Sequence, residues 1–169
     1  MIFEHSRQKG FSLLELLVVV TIIGILAAIA IPNLVTSMQR AKQKRSMADI
    51  RSIGAAWEAR AVDMNRYNAA AYAPPGESAG IESVYLYALE PTYIKTGPRR
   101  DGWTNAWAFY LDVPFGDTAV GSRYAIVSKG RNGTEDGVVS PGQPTTNFDC
   151  DIVFENGVFV QYPDSIQAD

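Results

Sequence analysis

FSLLELLVVVTIIGILAAIAI, residues Phe11 to Ile31, is a run of 21 residues that carries one charge, Glu15. At a rise of ~1.5 Å per residue, a helix of this length crosses a hydrocarbon core of ~30 Å. Pro32 follows, and a proline can bend a helix without ending it. Beyond it, Asn33 to Met64 contains no proline and one glycine, Gly54. Met47, Ile50, Gly54, Trp57, Ala61 and Met64 alternate in steps of three and four. That spacing puts one apolar stripe on an amphipathic helix. The expectation is a single long helix, residues 11–31 in lipid and residues 32–64 continuing into a folded head that spans 65–169.

A ten-residue segment, MIFEHSRQKG, precedes the apolar run and carries Arg7 and Lys9. A secretory signal would pair a charged start with a shorter apolar core and a small-residue cleavage site. Ala28-Ile29-Ala30 has that composition, but the run is long for a signal core and the helical pattern continues past it. Glu15 is the informative residue. A carboxylate in the middle of a membrane helix costs at least ~2.5–3.5 kcal/mol, and less near an end. It is read either as an interfacial glutamate favoured by the dipole of the helix start or as a group with a task.

The rest of the composition narrows the function. The 169 residues are 47% hydrophobic and 20% charged, with a net charge of −3, so no basic excess points to nucleic acid. Cys150 is the single cysteine, which excludes an intramolecular disulfide. His5 is the single histidine and precedes the apolar run. If that run spans a membrane, His5 lies across it from the head, which excludes a Cys–His or Ser–His pair. No enzyme is expected.

Lys9-Gly10-Phe11-Ser12-Leu13-Leu14-Glu15, with the apolar run, Gly24 and Pro32 behind it, closely resembles the type III signal of type IV pilins and pseudopilins. The resemblance covers residues 7 to 35. It implies that a prepilin peptidase cuts between Gly10 and Phe11, leaving residues 1–10 as a leader, and that Phe11 is then N-methylated. It also implies that Glu15 pairs with the Phe11 amine of a neighbouring subunit during assembly. The implied setting is the bacterial inner membrane, crossed once, with the N-terminus cytoplasmic and the head periplasmic. The partners would be further copies of this chain, minor pilins or pseudopilins, an assembly platform and an ATPase. Orientation rules run the other way: Arg40, Lys42, Lys44, Arg45 and Arg51 outnumber Arg7 and Lys9, and basic loops stay cytoplasmic. The signal resemblance overrides that count here. The basic cluster is then either a solvated helix face or a contact for acidic groups of adjacent subunits.

The head reads as α+β. Asn65 to Gly80, with Pro74, Pro75 and Gly76, is expected as a loop, Ser83 to Leu89 as a short helix, and Pro98 to Gly102 as a turn. Strands are expected at Ala106–Asp112, Arg123–Ser128, Asp151–Glu155 and Val158–Tyr162, forming an antiparallel sheet on the helix. The last two flank Asn156-Gly157, a type I′ hairpin signal. Lys129 to Asn147 is expected as a long loop without regular structure. This order matches the pilin fold.

Leu89-Glu90-Pro91-Thr92-Tyr93-Ile94, Arg100 to Trp107, Tyr124 to Gly133 and Asp149-Cys150-Asp151-Ile152 resemble the major, G-type pseudopilin of type II secretion. That resemblance implies calcium in the loop, held by carboxylates, a serine and carbonyl oxygens. The sequence departs from the pattern: Gly102 stands where the family has proline, Asn132 replaces a ligand aspartate, and the loop is longer. Asn132, Glu135, Asp136, Asp149 and Asp151 carry the oxygens calcium uses. Their spacing leaves two readings, a calcium site or a polar surface loop with a capped hairpin. Cys150 is a buried thiol, a surface thiol or an intermolecular bridge. Many pilins close a C-terminal loop with a disulfide, which this chain cannot do, so the pseudopilin branch is preferred. The expected function is a structural subunit of a secretion pseudopilus. The alternatives are a surface pilin for adhesion, twitching or DNA uptake, and an anchored binding domain that never polymerises.

Overall fold

The computed structural model describes residues 10–67, 88–136, 142 and 144–168. The expected leader, apart from Gly10, lies outside these residues, as do the 68–80 part of the first loop and the 83–87 part of the short helix. The chain divides into two compact units, the first ending at Met38 and the second beginning at Gln39.

α1 spans Leu13–Met64 and passes through Pro32. Proline removes one backbone donor, and polar side chains nearby bond to helix carbonyls. Asn33 Nδ2 donates to Ile29 O at 3.2 Å, Thr36 Oγ1 to Pro32 O at 3.2 Å and Ser37 Oγ to Asn33 O at 2.8 Å. In the first unit Leu13, Leu14, Leu16, Leu17, Ile22, Ile23, Leu26 and Ile29 are all exposed. The most apolar stretch of α1 has a mean hydropathy of 2.8 with none of it buried. A helix apolar all round is stable only inside lipid or a bundle of its own kind.

The second unit contains residues 39–64 of α1 and a five-stranded sheet. Its strands are β1 (Ala108–Leu111), β2 (Tyr124–Ser128), β3 (Pro144–Asn147), β4 (Ile152–Glu155) and β5 (Val158–Ala168), in the order β1-β2-β4-β5-β3. The β1–β2, β2–β4 and β4–β5 pairs are antiparallel, but β3 runs parallel to β5. The sheet is therefore mixed, not purely antiparallel as expected. Pro144-Thr145-Thr146-Asn147 falls inside the expected loop because it is polar and largely exposed, with no apolar alternation to announce a strand. The expected hairpin is present: Asn156 (φ 45°) and Gly157 (φ 86°) join β4 to β5.

Alternate residues of the strands face opposite sides. Phe109, Ile126 and Phe154 enter the main core with Ile50, Ile53 and Trp57 of α1, while Ala108, Val127 and Val153 form a second small cluster with Val160. Trp57 meets Phe109 edge-on at 4.5 Å between ring centroids, a favoured aromatic geometry. Of the expected stripe, Ile50, Gly54, Trp57 and Ala61 are buried and Met47 packs against the core, whereas Met64 is exposed. Gly54 lets the sheet approach closely, since a Cβ there would overlap the Phe154 ring. Arg60 was not anticipated on this face. It is fully buried, its guanidinium lying 5.0 Å from the Trp57 ring centre and 5.4 Å from that of Phe115. Burial lowers its pKa, and the two rings offset part of the lost hydration.

A turn before β1 docks on the second-unit part of α1. It lies at Asp101–Thr104, closed by Thr104 N–H donating to Asp101 O at 3.0 Å, slightly later than the expected Pro98–Gly102. The Gly102 amide donates to Ser46 Oγ at 2.9 Å and Trp103 Nε1 donates to Gln39 Oε1 at 2.7 Å. This accounts for glycine at position 102. A proline at 102 could not donate to Ser46, and any Cβ there would overlap the Lys42 carbonyl.

Candidate assembly site and head loop

Gly10, Phe11 and Ser12 precede the helix, which begins at Leu13. Leu16 N–H donates to Ser12 O at 3.2 Å, so the first turn closes immediately after the Gly10–Phe11 bond. Phe11 is 71% exposed, and among the described residues nothing lies within 4 Å of a Cβ built at Gly10. The bond is thus exposed, non-helical backbone. Glu15 sits exposed in the first turn of α1, where the helix dipole favours a negative charge. The same dipole disfavours a cation at that end.

The five oxygen-bearing residues of the head loop do not form one cage. Asp149 receives Arg131 in a bidentate pair, Nε to Oδ1 at 2.8 Å and Nη2 to Oδ2 at 3.0 Å. That pair holds the Asp149 carboxyl below the usual carboxylate range. Glu135 accepts from the Tyr110 hydroxyl and lies 3.9 Å from Lys129 Nζ. The Tyr110 hydroxyl is correspondingly pushed up to about 12, first by its bond to Glu135. Asn132 Oδ1 accepts Thr134 N–H at 3.0 Å, and its Nδ2 donates to Asp136 Oδ2 at 3.3 Å. Asp151, fully buried, accepts the Asp136 amide on Oδ2 at 2.9 Å. Among the described residues no three His, Cys, Asp or Glu side chains gather closely enough to hold a metal. Cys150 is a half-buried free thiol.

One structural centre escaped the sequence reading. Asp101, 2% exposed, accepts Trp103 N–H at 2.9 Å and Asn105 N–H at 2.8 Å on Oδ1, and the Ser128 hydroxyl at 2.7 Å on Oδ2. Asn105 Nδ2 in turn donates to Gly130 O at 2.7 Å. These bonds hold Thr104 at φ 74°, an unusual conformation for a β-branched residue. The available signal was the aspartate opening a Gly-Trp turn; its buried partner, Ser128, lies 27 residues away.

Residues 5–31 match the prokaryotic N-terminal methylation motif. The chain is 31% identical over 144 residues to the type II secretion system core protein G of Aeromonas hydrophila, covering 80% of this chain and 93% of that one. It is 31% identical over 140 residues to the core protein G of Vibrio cholerae, covering 78% and 88%. It is also 41% identical over 64 residues to the type IV major pilin protein PilA of Myxococcus xanthus, covering 38% of this chain and 29% of the pilin. No solved structure matches the chain.

Proposed function

The chain belongs to the family of type II secretion system core protein G, the major pseudopilin, and from that premise we propose that it is the repeating subunit of a secretion pseudopilus. Its methylation motif implies processing by prepilin peptidase and assembly into a filament. The observation that carries the proposal is the accessible Gly10–Phe11 bond one helical turn before Glu15, at the head of an exposed apolar helix. Cleavage creates a cationic amine four residues before an anionic carboxylate, both poorly solvated in lipid. A lone charge there is costly, and pairing across subunits relieves both at once. The amine of one copy meeting Glu15 of the next also fixes an axial step between helices, whose apolar faces then cover one another.

In this proposal the span crosses the inner membrane with the head in the periplasm. The role is structural, and force comes from a separate ATPase and platform protein. Similarity over nearly the full length of the core G proteins, against 29% of the surface pilin, supports the secretion filament over a surface pilus. Deleting the gene tests this: loss of extracellular enzymes with surface pili intact is expected, whereas normal secretion with loss of surface pili would favour the alternative.

A further inference from the structure

We infer that Arg40, Lys42 and Lys44 form an anionic-lipid site, holding phosphate headgroups of the leaflet on the head side of the span. The inference rests on the membrane span of the proposed subunit and not on its polymerisation.

Length places these cations. At ~1.5 Å per residue, residues 13–38 of α1, which lie in the first unit, extend ~38 Å. A hydrocarbon core is ~30 Å thick, and ~40–45 Å with its headgroup layers. Leu34, Val35 and Met38 are still exposed apolar side chains. With Leu13 at one boundary, the end of this stretch comes level with the headgroups of the other. Arg40 follows Met38 by two residues, so it lies within ~7 Å of it. Arg40 and Lys44 are exposed and Lys42 is half-buried. Long basic side chains reach a phosphate from there while their stems stay against apolar surface.

Charge selects the partner. Elsewhere in the head, cations are neutralised by the chain itself: Arg99 by Glu90 at 3.0 Å, Arg131 by Asp149 at 2.8 Å, Lys129 by Glu135 at 3.9 Å, and Arg123 by Glu155. On α1, Arg45 faces Asp49 at 3.5 Å and Arg51 covers the Phe159 ring. Among the described residues Arg40, Lys42 and Lys44 take part in no ion pair. Uncompensated positive charge is thus gathered where the chain leaves the apolar layer. A second copy is a poor source of anions for it. Its Glu90, Glu135, Asp149 and Glu155 hold their own cations, and its Glu58 and Asp63 accept from Tyr124 and Tyr93. A bilayer surface presents a phosphate on every lipid.

The test reconstitutes the full processed chain in phosphatidylcholine vesicles that carry a trace of spin-labelled phosphatidylglycerol or spin-labelled phosphatidylcholine. Cleavage has removed Arg7 and Lys9, so their charge does not contribute. Electron spin resonance reads how strongly each labelled lipid associates with the protein. Phosphatidylglycerol should be favoured by about fivefold or more, the factor that one engaged cation supplies. The preference should fall towards one in ~1 M salt, where charges are screened within ~3 Å. It should fall likewise in the triple variant Arg40→Gln, Lys42→Gln, Lys44→Gln. Equal association of the two lipids with the parent chain would overturn the inference, with no variant needed. A preference that survives the triple substitution would also overturn it. So would equal association combined with shortened filaments from the triple variant in cells, which would assign the cations to a neighbouring copy. The lipid measurement is made on unassembled subunits, so it stands whether or not deleting the gene stops secretion.

Discussion

The amide of Gly102 donates to the Ser46 hydroxyl at 2.9 Å, tying the turn before β1 to the second-unit part of α1 across 56 residues of sequence. Ser46 is fully buried, and its hydroxyl donates a hydrogen bond to Lys42 O at 3.1 Å. The contact works because residue 102 has no side chain.

Gly102→Ala should therefore destabilise the head by about 1–3 kcal/mol, since the added methyl meets helix backbone that cannot move aside. Chemical denaturation of the processed chain in micelles, followed by tryptophan fluorescence, measures this. Trp103 bonds to Gln39 next to the site, so its emission should shift red in the native variant. An unchanged midpoint would show that the turn does not press on α1.

Asp101 holds three donors in a buried place. Asp101→Ala strands all of them and should cost about 3 kcal/mol or more. Asp101→Asn should cost less, because its amide can donate to Ser128 with that bond reversed. Ser128→Ala combined with Asp101→Ala should be less damaging than the sum of the two singles. Urea midpoints for the four variants check the order; equal losses for Asn and Ala at 101 would contradict it.

Tyr124 is 1% exposed and donates to Glu58 Oε1 at 2.8 Å. Burial, then the Glu58 bond and charge, raise its pKa far above the ordinary value. The folded state thus favours the protonated phenol, a contribution complete below about pH 10, the unfolded value, and lost as pH rises towards the folded one. Tyr124→Phe should cost about 1.5–3 kcal/mol at neutral pH, and its deficit against the parent protein should shrink above about pH 10. Stability measured from pH 7 to 11 decides this; a constant deficit would contradict it.

The N-terminal half was legible because its information is local. A charge five places after a glycine, an apolar run and a three-four stripe each need only neighbouring residues, and α1 follows them. The hairpin at Asn156-Gly157 was legible for the same reason. What the sequence hid is set by distant pairing. β3 is polar and forms only by lying parallel to β5. Arg60 enters the core only because Trp57 and Phe115 flank it. The carboxylates of the head loop are legible by type, but the pairing of Asp149 with Arg131, 18 residues away, is not.

Glu15→Ala tests the central claim most directly, in cells carrying the prepilin peptidase and assembly machinery. Mass analysis of the N-terminus should show cleavage after Gly10 and a methylated Phe11 in both the parent and the variant. Electron microscopy should then show filaments from the parent and none, or sparse short ones, from the variant. Filaments of parental yield and length from processed Glu15→Ala subunits would contradict the pairing of Glu15 with a neighbour's new amine.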